Sequence, residues 1–234
     1  MHKKVLIIIP AYNEEKTIKK TLDTVVSSGY DYIVVNDGST DSTEEILTKN
    51  NYNHISLISN LGIGGAVQTG YQYAYENNYD IALQFDADGQ HEISFIPDLI
   101  QPLIDGKANL AIGSNFIDKK NKTQRSSKIR RLGIAFLSSI ILILSHKRIH
   151  DVTSGFRAAD RKVIERFAEN YPREYPEPVS NYELLRNPDF KIIEVPVVMN
   201  KRQGGKSSIT ARKSTYAAFN VLLSILIISL RRKK

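Results

Sequence analysis

The chain has 234 residues, of which 41% are hydrophobic, and this favours one domain with a full core, with or without an appendage. It contains no cysteine, which excludes disulfides, thiolate metal sites and a cysteine nucleophile and fits a reducing compartment. A net charge of +7 favours an anionic partner, such as a phosphorylated substrate or an acidic lipid surface. The sequence contains no nucleic-acid-binding motif that we recognise, so we predict no nucleic-acid partner.

The first hundred residues alternate predicted strands and helices. Apolar runs predict strands at 5–9, 32–36, 54–59, 81–85 and 110–113. Helical apolar spacing and cap residues predict helices at 14–28, 40–50, 64–77 and 93–106. This alternation predicts an α/β fold with a mostly parallel central sheet and helices on both faces.

The second half is less regular. We predict a basic loop at 119–128, an apolar segment at 132–145, a turn-rich segment at 151–159, helices at 161–170 and 182–186, a strand at 191–199 and a glycine-rich loop at 203–208. We expect one domain over 1–210, followed by an apolar C-terminal helix, flanked by basic residues, over 211–234.

The C-terminal apolar run, residues 217–230, makes a helix of about 21 Å, which is shorter than the roughly 30 Å hydrocarbon core of a bilayer. Basic residues flank this run on both sides, and basic residues also precede the 132–145 segment. This pattern favours helices that lie in a membrane interface. Core packing or a dimer interface is the alternative.

Two carboxylates, Asp86 and Asp88, follow the predicted strand at 81–85. That position puts them at the carboxyl edge of the sheet, where α/β proteins bind ligands. Carboxylates this close repel each other unless a cation lies between them. Their hard oxygens favour Mg²⁺ or Mn²⁺ bridging substrate phosphates. A solvated turn or a helix cap is the alternative, because Asp-x-Asp by itself is common.

Three earlier loops also follow predicted strands. They read Pro10-Ala11-Tyr12-Asn13-Glu14, Asn36-Asp37-Gly38-Ser39-Thr40-Asp41 and Asn60-Leu61-Gly62-Ile63-Gly64-Gly65-Ala66. An acidic residue at a strand end can accept hydrogen bonds from a base or ribose, and glycines at a helix start let a phosphate or sugar approach the backbone. Turns with Asn or Asp caps are the simpler explanation of each loop. A glycine loop after the third strand argues against a dinucleotide-binding dehydrogenase.

In order and spacing, the four loops resemble those of the family 2 glycosyltransferases, whose nucleotide-sugar-binding fold is called GT-A. Asp151-Val152-Thr153-Ser154-Gly155-Phe156 is similar to a segment of the branch that glycosylates polyprenyl and dolichyl phosphates. The resemblance continues through Glu194-Val195-Pro196-Val197 and Arg202-x-Gly204-Gly205, and it covers residues 3–210.

The resemblance implies a role for each loop. Residues expected around the donor are Pro10, Tyr12, Glu14, Asp37, Gly62, Gly64, Gly65, Gln68, Asp86, Ala87 and Asp88. The metal, Mg²⁺ or Mn²⁺, would be held by Asp88, Asp86 and Gln90. Residues expected on the acceptor side are Arg130, Arg131, Ser154 and Gly155. Arg202 would act in catalysis by closing over the diphosphate, because a metal and an arginine neutralise the charge on a leaving nucleoside diphosphate.

The sequence departs from this branch at two places. Ser114-Asn115 stands where a Ser-Arg pair is usual, so one phosphate-binding arginine is missing. The Glu-Asp base of members that glycosylate hydroxyl groups is missing as well, which leaves Asp151, Glu177 and Glu183. We prefer Asp151 as the catalytic base, with a turn-capping role as its equal alternative. A phosphate acceptor needs no base because it is already ionised, whereas a sugar hydroxyl does need one.

The predicted function is metal-dependent, inverting transfer of a sugar from a nucleotide-diphosphate sugar, namely a UDP-sugar, to a lipid-linked acceptor. That acceptor is polyprenyl phosphate or a lipid-linked glycan for cell-surface polysaccharide. We expect a cytoplasmic protein held peripherally on the anionic inner face of the cell membrane, and self-association as a homo-oligomer stays open. The alternatives are a nucleotidyltransferase of similar fold and a non-catalytic, membrane-recruited subunit that binds nucleotide sugars.

Overall fold

The structure is a computed structural model that describes residues 3–117, 128–200 and 211–230. The strands of this described part are β1 (Val5–Ala11), β2 (Asp31–Asn36), β3 (His54–Ser56), β4 (Ile81–Gln84), β5 (Leu110–Ser114), β6 (Arg157–Asp160) and β7 (Ile192–Pro196). Its α-helices are α1 (Ile18–Ser27), α2 (Thr43–Lys49), α3 (Gly62–Glu76), α4 (Ile96–Ile104), α5 (Lys128–Ser145), α6 (Arg161–Glu169), α7 (Pro176–Arg186) and α8 (Ala211–Leu230). A 3₁₀ turn at Ile93–Phe95 precedes α4.

The seven strands form one sheet in the order β3-β2-β1-β4-β6-β5-β7. β1 pairs in parallel with β2 and β4, β2 with β3, and β5 with β7. β6 is antiparallel to both of its neighbours, β4 and β5. The mostly parallel sheet predicted from the sequence is therefore confirmed.

The core lies on both faces of the sheet. Every residue of β1 is buried, and successive side chains of a strand point to opposite faces. Leu6 and Ile8 join the cluster that includes residues of α3, α5, α6, α7 and α8. Ile7 and Ile9 join the cluster that includes residues of α1, α2 and α4. Helices thus cover both faces, as the sequence predicts for a strand that is apolar throughout.

Two elements differ from the sequence prediction. The segment 151–159 was expected to be only turn-rich, but its end forms β6. The helix expected at 182–186 is longer, because α7 begins at Pro176. Proline is tolerated in the first turn of a helix, where its missing N–H would have no partner in any case. The remaining helices and strands lie where they were predicted, with shifted ends. The basic loop and the glycine-rich loop, at 119–128 and 203–208, fall on residues that the structure leaves undescribed apart from Lys128.

The C-terminal helix α8 packs on the rest of the protein through one side. Val221 and Ile225 are buried in the same cluster as Ile134 and Ile141 of α5 and Tyr182 of α7. Among the described residues, no helix combines the length and the apolar character that crossing a membrane requires.

Gly70 lets α3 approach β1 closely. A Cβ at this position would lie 2.2 Å from Cγ2 of the buried Ile8. Gly70→Ala should therefore lower the free energy of unfolding by about 1–3 kcal/mol, because an overpacked core must shift. Urea unfolding measures this change. In Gly133→Ala, the matched change on α5, the new Cβ would have no neighbour within 4 Å, and stability should rise by up to about 1 kcal/mol. Equal effects of the two substitutions would contradict the close approach.

Candidate active site

Strand direction gathers the candidate residues at one edge of the sheet. β1, β2, β3 and β4 run in the same direction, so the loops that follow them leave from the same edge. β6 runs the opposite way, so the residues that precede it also lie at that edge. The segment 151–156 therefore joins the four loops singled out in the sequence.

The loops after β1 and β2 are joined by hydrogen bonds. The Asn13 side-chain oxygen accepts from the Thr40 N–H at 2.8 Å, and the Asn13 N–H donates to the Ser39 hydroxyl at 3.0 Å. The Glu14 N–H donates to the Thr43 hydroxyl at 2.9 Å. Asn13 has a φ of 55°, a left-handed conformation that Asn tolerates better than most residues. The two loops thus form one unit.

Three donor-site predictions fall at the end of β1 and in the loop that follows it, with Pro10 inside the strand rather than at its end as the sequence predicts. Pro10 and Glu14 are buried, whereas Tyr12 is 46% exposed. An exposed tyrosine beside a buried carboxylate offers a ring surface to a ligand at this edge.

Asp37 connects the β2 loop to the loop before α3. Its N–H donates to the Ala11 carbonyl at 2.8 Å, and its carboxylate accepts from the Leu61 N–H at 2.7 Å. Burial raises the pKa of Asp37, while the amides of Leu61 and Gly62 oppose that rise by stabilising the carboxylate. In this structure the Asp37 carboxylate therefore serves to hold the neighbouring loop.

The glycine loop at the start of α3 makes contacts within the protein. The Gly64 N–H donates to the Arg173 carbonyl at 3.2 Å, and Gly65 is buried. The Gln68 side chain, predicted to line the donor pocket, donates to the Ala168 carbonyl at the end of α6 at 3.2 Å. A Cβ at Gly64 would lie 2.2 Å from the Pro172 carbonyl oxygen, so only glycine allows α3 to pack this closely on the segment 168–173.

The Asp86–Asp88 turn is held from both sides. Asp88 is only 6% exposed, and its carboxylate accepts from the Gln90 N–H at 3.0 Å. The Ala87 carbonyl accepts from the Thr21 hydroxyl of α1 at 3.0 Å. Asp86 is partly exposed at this edge. The turn therefore presents one partly exposed and one buried carboxylate with little freedom to move.

Gly155 lies directly against Asp86. A Cβ on Gly155 would come within 3.2 and 3.3 Å of the two Asp86 carboxylate oxygens and 2.8 Å of the Gln84 side-chain nitrogen. The structure thus brings together the predicted metal ligand Asp86 and the predicted acceptor-side residue Gly155. The neighbouring Ser154 is buried.

The chain after β7 returns to the same turn. The Asn200 N–H donates to the Gln90 carbonyl at 2.9 Å, and the Gln90 side chain donates to the Asn200 carbonyl at 3.3 Å. Arg202, predicted to act on the diphosphate, lies outside the described residues, as does the side chain of Arg130. Arg131 is exposed near the start of α5.

The base candidates lie on different elements. The Asp151 N–H donates to Glu194 of β7 at 2.8 Å, and the Asp151 carboxylate accepts from the Thr153 hydroxyl at 3.4 Å.

Burial raises the pKa of Glu177 at the start of α7, the buried Arg157 guanidinium opposes this rise, and the charge of Asp86 adds to it. Glu177 is therefore an electrostatic neighbour of Asp86, which the sequence alone did not indicate. Glu183 lies further along α7 and is partly exposed.

His91 is a part of the site that sequence reasoning missed. It is buried, and its Nδ1 accepts from the Asp86 N–H at 3.1 Å. Burial lowers the pKa of His91 to about 4, although the Asp88 charge opposes this shift. His91 is therefore neutral at physiological pH and does not offset the charge of the two aspartates. Its position just after the acidic turn was the only signal in the sequence.

The oxygen ligands available at this edge fit a hard divalent cation. Among the described residues, no three His, Cys, Asp or Glu side chains cluster tightly enough to hold a metal by themselves. Asp86 and Asp88 offer carboxylate oxygens, and the space that a Cβ at Gly155 would fill adjoins the Asp86 oxygens. Mg²⁺ is typically bound by one or two carboxylates together with substrate phosphates. These residues fit a metal shared with a phosphate-bearing ligand.

The chain is similar to known proteins over most of its length. The family model of Glycosyl transferase family 2 matches residues 6–167. A UDP-N-acetylglucosamine–dolichyl-phosphate N-acetylglucosaminyltransferase of Methanococcus voltae is 33% identical over 216 residues, covering 83% of this chain and 85% of that protein. The polyprenol monophosphomannose synthase of Mycolicibacterium smegmatis is 28% identical over 229 residues, covering 93% of this chain and 85% of that protein.

Solved structures share the fold. Glucosyl-3-phosphoglycerate synthase from Mycobacterium tuberculosis, in complex with Mn²⁺ and uridine-diphosphate-glucose, superposes with a TM-score of 0.71. The two sequences are 20% identical, and the match covers 99% of this chain and 81% of that one. At this identity the likeness establishes the fold.

The Asp37 hydrogen bonds allow a direct test of how the loops are held. Asp37→Ala should lower the free energy of unfolding by about 1–3 kcal/mol, because it leaves the Leu61 N–H without its acceptor. Urea unfolding measures the loss, and hydrogen exchange at the Leu61 amide localises it. Asp189→Ala, at an exposed position, should change stability by less than about 0.5 kcal/mol. An unchanged exchange rate at Leu61 in Asp37→Ala would refute this role.

Proposed function

This chain belongs to the family 2 glycosyltransferases and has their GT-A fold, and from that premise we propose its reaction. It transfers a sugar from a nucleotide-diphosphate sugar, a UDP-sugar, to a lipid-linked acceptor, with a divalent metal at Asp86 and Asp88. The acceptor is polyprenyl phosphate or a lipid-linked glycan. Family membership favours this reaction over nucleotidyl transfer and over a silent binding subunit.

The observation that carries the proposal is the contact between the acidic turn and the segment before β6. Asp86 belongs to the loop expected to hold the donor, and Gly155 belongs to the segment expected to face the acceptor. A methyl group on Gly155 would touch the Asp86 carboxylate. Donor and acceptor would therefore meet where these two segments adjoin, as direct displacement requires.

On the donor side, the chain supplies binding and charge. Asp86 and Asp88 would hold the metal with Gln90 alongside, and the metal would neutralise the charge that develops on the leaving diphosphate. Tyr12, Glu14 and Asp37 would surround the nucleoside at the neighbouring strand ends. Arg202 would add positive charge on the diphosphate. Displacement from the opposite side of the sugar would invert the anomeric centre.

On the acceptor side, the chemistry depends on the acceptor group. A phosphate acceptor is an anion at neutral pH and attacks without a base, whereas a hydroxyl acceptor would need one. Asp151 remains the proposed base for a hydroxyl, and Glu177 is the alternative because it senses the charge of Asp86. Arg130 and Arg131 would hold an acceptor phosphate.

Relatives support the acceptor and donor classes. The two lipid-phosphate enzymes described above are named for dolichyl phosphate and polyprenol phosphate, which supports a polyprenyl-phosphate acceptor here. The complex of the structural neighbour with Mn²⁺ and uridine-diphosphate-glucose supports a UDP-sugar and a divalent metal.

The outer faces of α5 and α8 support membrane attachment. Their buried sides pack on the core, while their other sides expose large apolar residues. These exposed residues are Leu132, Phe136, Ile143 and Leu144 on α5, and Phe219, Leu223, Leu226, Ile227 and Leu230 on α8. Arg131, Lys147 and Arg148 are exposed near the ends of α5. Apolar faces with flanking cations suit an anionic membrane interface.

The proposed function also suggests how the chain is organised. Residues 1–210 make up the proposed catalytic domain, and we propose membrane or oligomer contact for the segment 211–234, which contains α8. A lipid-linked acceptor and a nucleotide donor meet most readily on the cytoplasmic face of the cell membrane, which is where we place the enzyme.

Asp88→Asn tests the donor site. The substitution preserves the shape of the side chain but removes a charge from the proposed metal site. Transfer from a UDP-sugar to polyprenyl phosphate should fall by at least about 100-fold, since electrostatic stabilisation of the leaving group typically contributes this much. Product formation with radiolabelled donor, at fixed Mn²⁺, measures the loss.

The matched control is Asp98→Asn, an exposed aspartate on α4. It should transfer as the wild type does. Thermal stabilisation of the wild type by UDP, with and without Mn²⁺, should reveal metal-dependent binding, because a ligand that binds only the folded state raises its stability. Full transfer by Asp88→Asn, with a retained melting temperature, would overturn the metal assignment.

Leu226→Glu tests membrane attachment. Leu226 is 54% exposed on the outer side of α8. The charge should weaken binding to vesicles of phosphatidylglycerol and phosphatidylcholine about tenfold, which corresponds to a loss of about 1.4 kcal/mol. Co-sedimentation at low salt measures the partition.

Val26→Glu is the matched control, because Val26 is 48% exposed on α1, on the other face of the sheet. It should bind vesicles as the wild type does. Wild-type protein that stays in the supernatant would contradict the membrane proposal. A smaller particle for Leu226→Glu in analytical ultracentrifugation, with vesicle binding unchanged, would indicate an oligomer interface instead.

A further inference from the structure

The His91 ring is fixed by the backbone of the acidic turn. Its Nδ1 lies 3.1 Å from the Asp86 nitrogen. A backbone amide nitrogen always carries its hydrogen, so Nδ1 accepts and the ring proton resides on Nε2. That Nε2 lies 3.7 Å from an Asp86 carboxylate oxygen. One ring therefore faces both the main chain and the side chain of Asp86.

Two phenylalanines pack against the His91 ring. Phe156 stacks on His91 with ring centroids 4.6 Å apart and planes inclined by 22°. Phe85 meets the ring edge-on at 5.4 Å. Phe156 directly follows Gly155, and its carbonyl accepts from the Gly113 N–H of β5 at 2.8 Å. The imidazole thus spans the space between the turn after β4 and the segment before β6.

We infer that His91 is a positioning residue for sugar transfer, which holds Asp86 at a fixed separation from the Ser154–Gly155 segment. The inference rests on the proposed function, because it takes Asp86 as donor-side and Gly155 as acceptor-side. The gap between Gly155 and Asp86 is narrow, since even a methyl group on Gly155 would contact the Asp86 oxygens at 3.2 Å. Effective alignment of two reactants depends on displacements of this size.

If His91 served only core packing, position 91 would accept different residue types. A buried ring between two phenylalanines is well replaced by another phenylalanine, which keeps the aromatic contacts. A positioning role requires the acceptor atom instead. The Oδ1 of asparagine can take the place of Nδ1, but asparagine has no ring to stack. His91→Phe and His91→Asn therefore separate the two roles.

The first measurement is hydrogen exchange at the Asp86 amide in the full chain without ligand. His91→Phe should speed exchange by at least about tenfold, because the N–H loses its acceptor, whereas His91→Asn should retain most of the protection. Unchanged protection in His91→Phe would overturn the inference whatever the enzyme's substrate is.

The second measurement is transfer at varied Mn²⁺ with a UDP-sugar and polyprenyl phosphate. In His91→Phe, the apparent Mn²⁺ constant should rise by at least about tenfold, and His91→Asn should restore it to within about threefold of the wild type. In His91→Asn, kcat for transfer should fall while the donor KM holds, since the stack on Phe156 is lost. Leu103→Ala, a buried change on α4, is the control for lost stability and should leave the Mn²⁺ constant unchanged.

The outcomes separate the two proposals. Wild-type protein that binds no UDP in the presence of Mn²⁺ would refute the proposed function, and the exchange measurement would still decide whether His91 holds Asp86. Wild-type transfer together with a His91→Phe variant that is indistinguishable from it would refute the His91 inference alone.

Discussion

The direction of β6 is the constraint on which the site depends. Because β6 is antiparallel to β4, Gln84 pairs with Arg157, and the residues before Arg157 emerge beside those after Gln84. A parallel β6 of four residues would put Ser154 and Gly155 at the opposite edge, about 13 Å away. One reversed strand thus brings the proposed acceptor segment, Ser154–Gly155, beside the acidic turn that is the proposed donor site.

The loops of the proposed donor side are joined by hydrogen bonds between positions that are distant in sequence. Asn13 with Thr40, Glu14 with Thr43, and Asp37 with Leu61 join positions 27, 29 and 24 residues apart. Each such bond contributes about 0.5–1.5 kcal/mol, but together they leave the strand-end loops few alternative arrangements. Preorganisation of this kind lowers the cost of binding a ligand. The residues of the proposed donor site are therefore also residues that stabilise the fold.

Much of this architecture was predictable from local patterns. Apolar runs and helical spacing gave the alternating elements of the first half, and the position of Asp86 and Asp88 after a strand gave the acidic edge. β6 was missed because its pairing with β4 and β5 joins residues far apart in sequence. The start of α7 was missed because Pro176 and Pro178 mask a helical first turn. The contact of the Gln68 amide with the Ala168 carbonyl joins residues 100 positions apart, and local patterns do not indicate it.

The sequence by itself determined the family, the fold class and the chemistry available at the sheet edge. Hydrophobic periodicity and strand-end motifs are local properties, and they can be read from neighbouring residues. Only the tertiary structure decided which of those residues face one another: Gly155 against Asp86, His91 between Asp86 and Phe156, and Glu177 within reach of the Asp86 charge. Strand direction, register and packing across the core set those distances. These three properties depend on contacts between distant segments, so the residues of a single segment do not reveal them.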